Sequence, residues 1–299
     1  MLTGAPPRLR VSVIGAGRVG AVFGAALARS GHSVVAVTAI SEMSRLRAQA
    51  LLPNVPITDV PTAVQAADLV VLAVPDDVLA ELVTGLAETG SVREGQFWCH
   101  PAGAHGIEVL APVTQHGAIP LAIHPVMTFT GTSIDLARLA DCPFGVTAPE
   151  GYRSVAEALV VEMGGEPIWV PEQARARYHA ALALGANGLV TLVNAALDLL
   201  RESGVADARR LIEPLMQASL ENALRLGDQA LTGPVARGDA ATVAAHLETI
   251  AQVQLEVAQA YRAMARLTAL RAVDSGLLPA TAAESLLDVL ARDSTDGRS

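Results

Sequence analysis

The chain has 299 residues and a formal charge of −9, a balance that disfavours non-specific binding to nucleic acid or to an anionic membrane. Half of the residues are hydrophobic (51%) and 17% are charged, which excludes disorder over most of the length. Every one of the 21 basic residues is an arginine, so chemistry that needs a lysine acid, a Schiff base or a P-loop lysine is excluded.

Residues 1–7 read as a loose leader. Arg8, Arg10 and the apolar stretch to residue 28 mimic a secretion signal, but Arg18 and the glycines at 15, 17, 20 and 24 interrupt it. Two cysteines, Cys99 and Cys142, form neither a disulfide framework nor a metal spacing and fit a cytoplasmic protein. From residue 9 the pattern alternates strands (9–14, 33–38, 69–74, 96–100, 119–124, 144–147, 167–170) with helices (19–30, 41–50, 62–67, 77–86, 106–114, 152–163). This alternation predicts an α/β domain over residues 8–170, with a Rossmann-type doubly wound, mostly parallel sheet. Several strands are unbroken apolar runs, such as residues 69–74, as expected where helices cover both faces.

The first strand runs into Gly15-Ala16-Gly17-Arg18-Val19-Gly20, which fits G-x-G-x-x-G between a strand and a helix. Gly15 permits the tight turn, Gly17 a close approach to a pyrophosphate, and Gly20 the packing of helix on strand. After the second strand the first acid is Glu42, inside the next helix, where an NAD site wants a carboxylate for the ribose 2′-hydroxyl. Thr38, Ser41, Arg18 and Arg45 offer hydroxyls and charge to a 2′-phosphate instead, so NADP(H) is the expected cofactor. Val74 and Pro75 end the third strand and line the same crevice, with Asp76 or Asp77 available as a helix cap.

His100 and His124 fall at strand ends and are both expected to face that crevice, the second followed by a hydroxyl-rich run that includes Thr128. Cys99, His100, His105 and His124 have no recognised metal spacing. After residue 170 the composition turns to Ala, Leu and Glu with helical period. This predicts an all-helical domain over 171–292 (helices 172–203, 207–227, 240–272 with room for a kink, and 280–291) and a fraying tail, 293–299. Residues 180–197 carry no charge and approach a spanning length, but their glycines and polar residues favour a buried helix of a soluble protein. Asn187, Thr191, Asn194 and Asp198 form one polar stripe on it, with His179 a turn or two earlier. Further on, Arg237 lies in an inter-helix loop, either free to clamp a substrate carboxylate or paired locally while Asp239 caps the next helix.

Residues 13–20, Ala73-Val74-Pro75-Asp76-Asp77, His124-Pro125 with Thr128-Phe129, Tyr178-His179 with Asn187, and Leu231-Thr232-Gly233-Pro234 with Arg237-Gly238-Asp239 together resemble one family. It is a Rossmann-like family with a helical C-terminal domain of long-unassigned function, frequent in actinobacteria, and more distantly similar to ketopantoate reductase and pyrroline-5-carboxylate reductase. The resemblance implies an NADP-binding domain, a helical domain that forms a homodimer, and a small carboxylic acid as substrate. Some members of the close family act as alternative ketopantoate reductases in pantothenate synthesis, which implies 2-dehydropantoate. The usual ketopantoate reductase has a lysine four residues before an asparagine on the first helix of its second domain. Here Asn187 matches the asparagine and Ala183 stands where the lysine would be. Ketone reduction would then draw its proton from His124, His179 or an ordered water, with Asn187 orienting the reacting group. An imine reductase of the pyrroline-5-carboxylate type would need no such donor. A non-catalytic nucleotide sensor or scaffold is the reading from a different class.

Overall fold

The computed structural model describes residues 8–291; the expected leader, residue 292 and the expected tail lie outside them. The chain divides into two compact units, one ending at Leu184 and the second beginning at Gly185.

In the first unit the elements run β1 (Arg10–Ile14), α1 (Arg18–Arg29), β2 (Ser33–Val37), α2 (Glu42–Leu51), α3 (Val60–Ala66) and β3 (Leu69–Leu72). There follow α4 (Asp76–Glu88), β4 (Phe97–His100), α5 (Ala111–Thr114), β5 (Ile119–Pro125), α6 (Ile134–Arg138), β6 (Pro143–Thr147), α7 (Arg153–Glu162) and β7 (Glu166–Trp169). All seven expected strands join one sheet in the order β2-β1-β3-β4-β5-β6-β7. Every pairing is parallel except β5 with β6, where His124 stands opposite Gly145.

The sheet is covered on both faces. One apolar cluster joins Val11, Val13, Val71 and Leu121 to Phe23, Leu27 and Leu159 from the helices. On the other face Ile14, Val70, Leu72 and Trp98 pack with Val64, Leu79 and Val83. Adjacent strand residues therefore bury in opposite layers, which is why the run Leu69–Leu72 shows no polar alternation. Each such side chain contributes about 1.5–3 kcal/mol through burial. The chain runs from β1 to β2 on one side and then returns to β3 on the other side of β1, so the order reverses between β1 and β3 and a crevice opens at the carboxyl ends of these two strands.

The second unit is helical. α8 (Arg175–Glu202) begins in the first unit and continues past residue 184; α9 (Ala208–Leu226), α10 (Gly233–Ala236), α11 (Ala240–Val253), α12 (Leu255–Asp274) and α13 (Ala280–Ala291) follow. The expected helix over 240–272 is two helices. Gln254 adopts an extended conformation (φ −147°, ψ 109°) and caps the second of them. A core of Val243, Leu247, Ala265, Ala269, Leu286 and Leu290 holds α11, α12 and α13 together.

One expectation is overturned. The apolar helix over residues 180–197 is not buried within the chain: its most apolar stretch is open, and Leu184 and Val190 are 73% and 61% exposed. The residues 172–202 are long and apolar enough to cross a membrane by length and composition alone. Helical period places apolar side chains on that surface, and among the described residues none buries them.

Candidate active site

The turn after β1 is built around glycine. Gly15 has φ +97°, and a Cβ there would sit 2.6 Å from the Ala73 carbonyl oxygen at the end of β3. At Gly20 a Cβ would lie 2.0 Å from the Gly15 carbonyl, so helix and turn touch backbone to backbone. The Thr38 hydroxyl accepts a hydrogen bond from the Gly15 amide (2.9 Å), and the Ala16 amide donates to the Thr38 carbonyl (2.9 Å). Thr38 thereby pins the turn to the end of β2.

Gly17 differs from both. Its φ of −69° suits any residue, and a Cβ there would meet nothing within 4 Å. It is the N-cap of α1, yet no side chain caps that helix. Intramolecular packing thus does not account for a glycine here. A bare, uncapped helix N-terminus, with its first amides and positive dipole end open, suits the diphosphate of a dinucleotide.

A cleft of about 760 Å³ opens beside it, lined by Gly15, Gly17, Thr38, Ser41, Val74 and Pro75 among others. Ser41 caps α2 by accepting from the Ser44 amide, and Glu81 is the one acid among the lining residues. Val19 follows on the first turn of α1 and is half-buried. Arg18 and Arg45 are exposed, and neither makes an ion pair among the described residues. Asp76 and Asp77 do not cap α4; Pro75 occupies the cap position, and both acids lie in the first turn, where they favour the dipole.

A second cluster forms where β5 ends. His124 Nδ1 is 2.8 Å from the Tyr178 hydroxyl, with the rings edge to face at 5.7 Å. The His179 ring lies 6.0 Å from His124, also edge-on. Glycines make the room: a Cβ on Gly145 would be 2.3 Å from the Tyr178 oxygen, and one on Gly103 would be 2.9 Å from His124 Nε2. Behind them Arg175, 2% exposed, donates from Nε to Thr147 Oγ1 (2.7 Å) and from Nη2 to the carbonyls of Ala122 (3.0 Å) and Gly145 (3.2 Å). It ties β5, β6 and the start of α8 together. Burial, then the charges of Arg175 and His179, push His124 down to about 4, so its imidazole is neutral at pH 7. Burial raises Tyr178, with Arg175 pulling the other way.

His100 does not face a crevice. It is fully buried; Nδ1 accepts from the Ala102 amide (3.2 Å) and Nε2 donates to the Gly106 carbonyl (2.8 Å), which fixes the loop that presents Gly103. The Glu172 carboxylate accepts from the Ile107 and Glu108 amides and anchors the far end of that loop. Thr128 is exposed. In the second unit Asn187 is exposed, and its carbonyl accepts from the Thr191 hydroxyl (3.1 Å). Arg237 is exposed and follows α10, which occupies part of the expected loop. Asp239 does cap α11, accepting from the Thr242 amide (3.0 Å).

Sequence reasoning did not single out Arg175 or Gly145, and it left Tyr178 outside the site. The one available signal was the Arg175–Tyr178 spacing of three, which stacks a guanidinium against a ring on one helix face, here at 5.7 Å.

Residues 3–125 match the Rossmann-like domain model, and residues 142–268 match a domain of unknown function, DUF2520. The chain joins a Rossmann-like domain to a DUF2520 domain. The DUF2520 match begins just before β6, so Tyr178 and Arg175 fall inside it and His124 inside the Rossmann-like match. No curated protein matches significantly. Among solved structures, the chain is similar to a Bacteroides fragilis protein provisionally assigned as an NADP oxidoreductase: 22% identity, TM-score 0.69, covering 88% of this chain and 98% of that one. An imine reductase variant from Myxococcus stipitatus in complex with NAD+ gives 18% identity, TM-score 0.60, and coverage of 96% and 100%. Plasmodium falciparum pyrroline carboxylate reductase with NADP bound gives 10%, TM-score 0.53, and coverage of 88% and 98%. At these identities the likeness is one of fold.

Proposed function

We propose that this protein is an NADP(H)-dependent reductase of a small oxo acid, with 2-dehydropantoate as the substrate. The observation that carries the reading is Gly17: a glycine with unstrained φ, open space where a Cβ would stand and an uncapped helix behind it. Gly15, Gly17, Arg18, Val19 and Gly20 would hold the diphosphate, and Val74 and Pro75 would line the nicotinamide side. NADP(H) is favoured over NAD(H) because β2 is followed by Thr38 and Ser41 rather than a carboxylate, with Arg18 and Arg45 unpaired nearby in sequence. When bound, the reduced coenzyme supplies the hydride. His124 would give a proton to, or anchor, the substrate oxygen. Asn187 would orient the reacting group, and His179, Thr128, Thr191 and Arg237 would contact the acid.

The helical unit supports a homodimer. Leu211 and Leu215 on α9 are 59% and 66% exposed one turn apart, and Leu224 is 82% exposed, a surface that a second copy would cover. Sedimentation should give twice the chain mass; a monomer at micromolar concentration would contradict this. Free, buried Cys99 and Cys142 agree with a cytoplasmic location.

A second reading is supported by Ala183 at the place of a lysine: an imine reductase of the pyrroline-5-carboxylate type, whose protonated substrate needs hydride alone. The decisive experiment follows NADPH oxidation with 2-dehydropantoate, 1-pyrroline-5-carboxylate and a panel of related acids. Turnover with the first is the expected result. Turnover with the cyclic imine alone transfers the assignment to the second reading, and tight NADPH binding with no turnover leaves a nucleotide sensor.

A further inference from the structure

Arg175 is a buried cation with no buried anion. None of its contacts is a carboxylate, and its Nη1 has no hydrogen-bond partner. Desolvating a guanidinium costs several kcal/mol. The bonds it makes to Thr147, Ala122 and Gly145 need donors, not a full charge. Its charge is favoured by Tyr178, whose ring it covers at 5.7 Å, and by the Glu172 carboxylate, which is itself bonded to the Ile107 and Glu108 amides.

Tyr178 in turn has one side-chain partner, His124 Nδ1. The other ring nitrogen, Nε2, has no partner among the described residues, is not sealed from solvent, and faces Gly103, where any side chain would cover it. Arg175, Tyr178 and His124 thus form a line from a buried charge to an open nitrogen.

Resting on the reductase reading above, we propose that this line is a proton relay in which Tyr178 recharges His124 and Arg175 is held in reserve for the tyrosinate. With a reduced coenzyme bound to supply hydride, the carbonyl carbon of the oxo acid would gain two electrons and its oxygen would become an alkoxide. The proton on His124 Nε2 passes to that oxygen and completes the hydroxyl. His124 Nδ1 takes the phenolic proton at the same time, so imidazole stays neutral and Tyr178 becomes tyrosinate facing the guanidinium. A proton from water then enters at the open Nε2 while the Nδ1 proton returns to the tyrosinate, which restores both the Nε2–H imidazole and the phenol. Because the histidine never carries a positive charge, the acid-side pressure on it from burial, Arg175 and His179 does not oppose the step. The relay would take the place of the absent lysine. Tyr178 is a positioning and recharging residue; the atom that meets the substrate is His124 Nε2. Besides Arg175 and His179, two other titratable groups bear on the pair: burial and then Cys142 disfavour charge on Tyr178, which Arg175 and the Gly145 amide favour, and the buried His100 disfavours a positive His124.

Three readouts test this, two of them independent of turnover. Nitrogen NMR of labelled histidine in the wild-type protein should show His124 as the Nε2–H tautomer at pH 7, and Tyr178→Phe should release it into a mixture. Absorbance titration of tyrosine ionisation, with Tyr178→Phe as the difference reference, should move upward by about one pH unit or more in Arg175→Met and return in Arg175→Lys. With 2-dehydropantoate, Tyr178→Phe should lower kcat about 10²-fold with little change in KM. An Nδ1–H tautomer in the wild type, or a Tyr178 titration unmoved in a folded Arg175→Met, overturns the relay. If Arg175→Met does not fold, the wild-type tautomer still decides. If wild-type protein binds NADPH but reduces no oxo acid, the reductase reading fails, and the relay is judged on the two spectroscopic results.

Discussion

Two hydrogen-bonded histidine–tyrosine pairs occur among the described residues, and their local geometry is nearly the same. His124 and Tyr178 are 2.8 Å apart with rings at 5.7 Å and 88°. His246 and Tyr261 are 2.9 Å apart with rings at 5.8 Å and 75°. The first pair sits at a strand end, roofed by a buried arginine and floored by glycines that keep one imidazole nitrogen open. The second bridges α11 and α12 on an exposed surface, and burial alone raises Tyr261. A hydrogen bond of that kind locks two helices in register for about 1 kcal/mol. The contrast shows that a pair of side chains becomes a proton path through what lies behind and in front of it, not through the bond between them.

The largest break between the pairs is expected in catalysis. Tyr178→Phe should cost about 10²-fold in kcat, whereas Tyr261→Phe should leave kcat within error; equal effects would erase the distinction. Stability should separate them next. Arg175→Met removes the donors to the Ala122 and Gly145 carbonyls and to Thr147 Oγ1, which keeps its bond to the Val170 carbonyl, and should cost about 2–3 kcal/mol in urea unfolding. His246→Ala should cost about 1 kcal/mol.

The smaller test is pH. His124 and His100 are both held near 4 by burial, while in the unfolded chain they titrate near about 6.5. Between those values the unfolded state binds more protons, so folding stability falls as pH drops from about 6.5 towards about 4. His124→Gln should flatten this slope, and an unchanged slope would mean that His124 is not kept neutral by the fold.

The sheet was legible because parallel strands covered on both faces write themselves as apolar runs, as at Leu69–Leu72, and the edge strand Glu166–Trp169, half open, was read from its place in the alternation instead. The phosphate turn was legible because glycine leaves a spacing. Boundaries shifted where capping decides them, as at Pro75, where neither aspartate was needed. The split at Gln254 was harder, since that residue has helical neighbours on both sides and only its backbone departs. Burial was misjudged twice for one reason: polarity in sequence does not say which surface an element meets. His100 went inward because two backbone groups of its own loop satisfy it, and the apolar middle of α8 stayed open. Arg175 was invisible because its partners are carbonyls and a hydroxyl from distant strands, which carry no charge pattern.

The central claim is that the bare turn at Gly17 receives a dinucleotide diphosphate. Calorimetric titration of the wild type and Gly17→Val with NADPH and NADH tests it most directly. The account predicts saturable heat for the wild type, tighter with NADPH than with NADH, and none at millimolar nucleotide for Gly17→Val, which still folds, with a melting temperature lowered by about a few degrees at most, because a Cβ here meets nothing within 4 Å and only the capping preference is lost. Equal NADPH affinity in the two proteins, or no heat in the wild type, would contradict it.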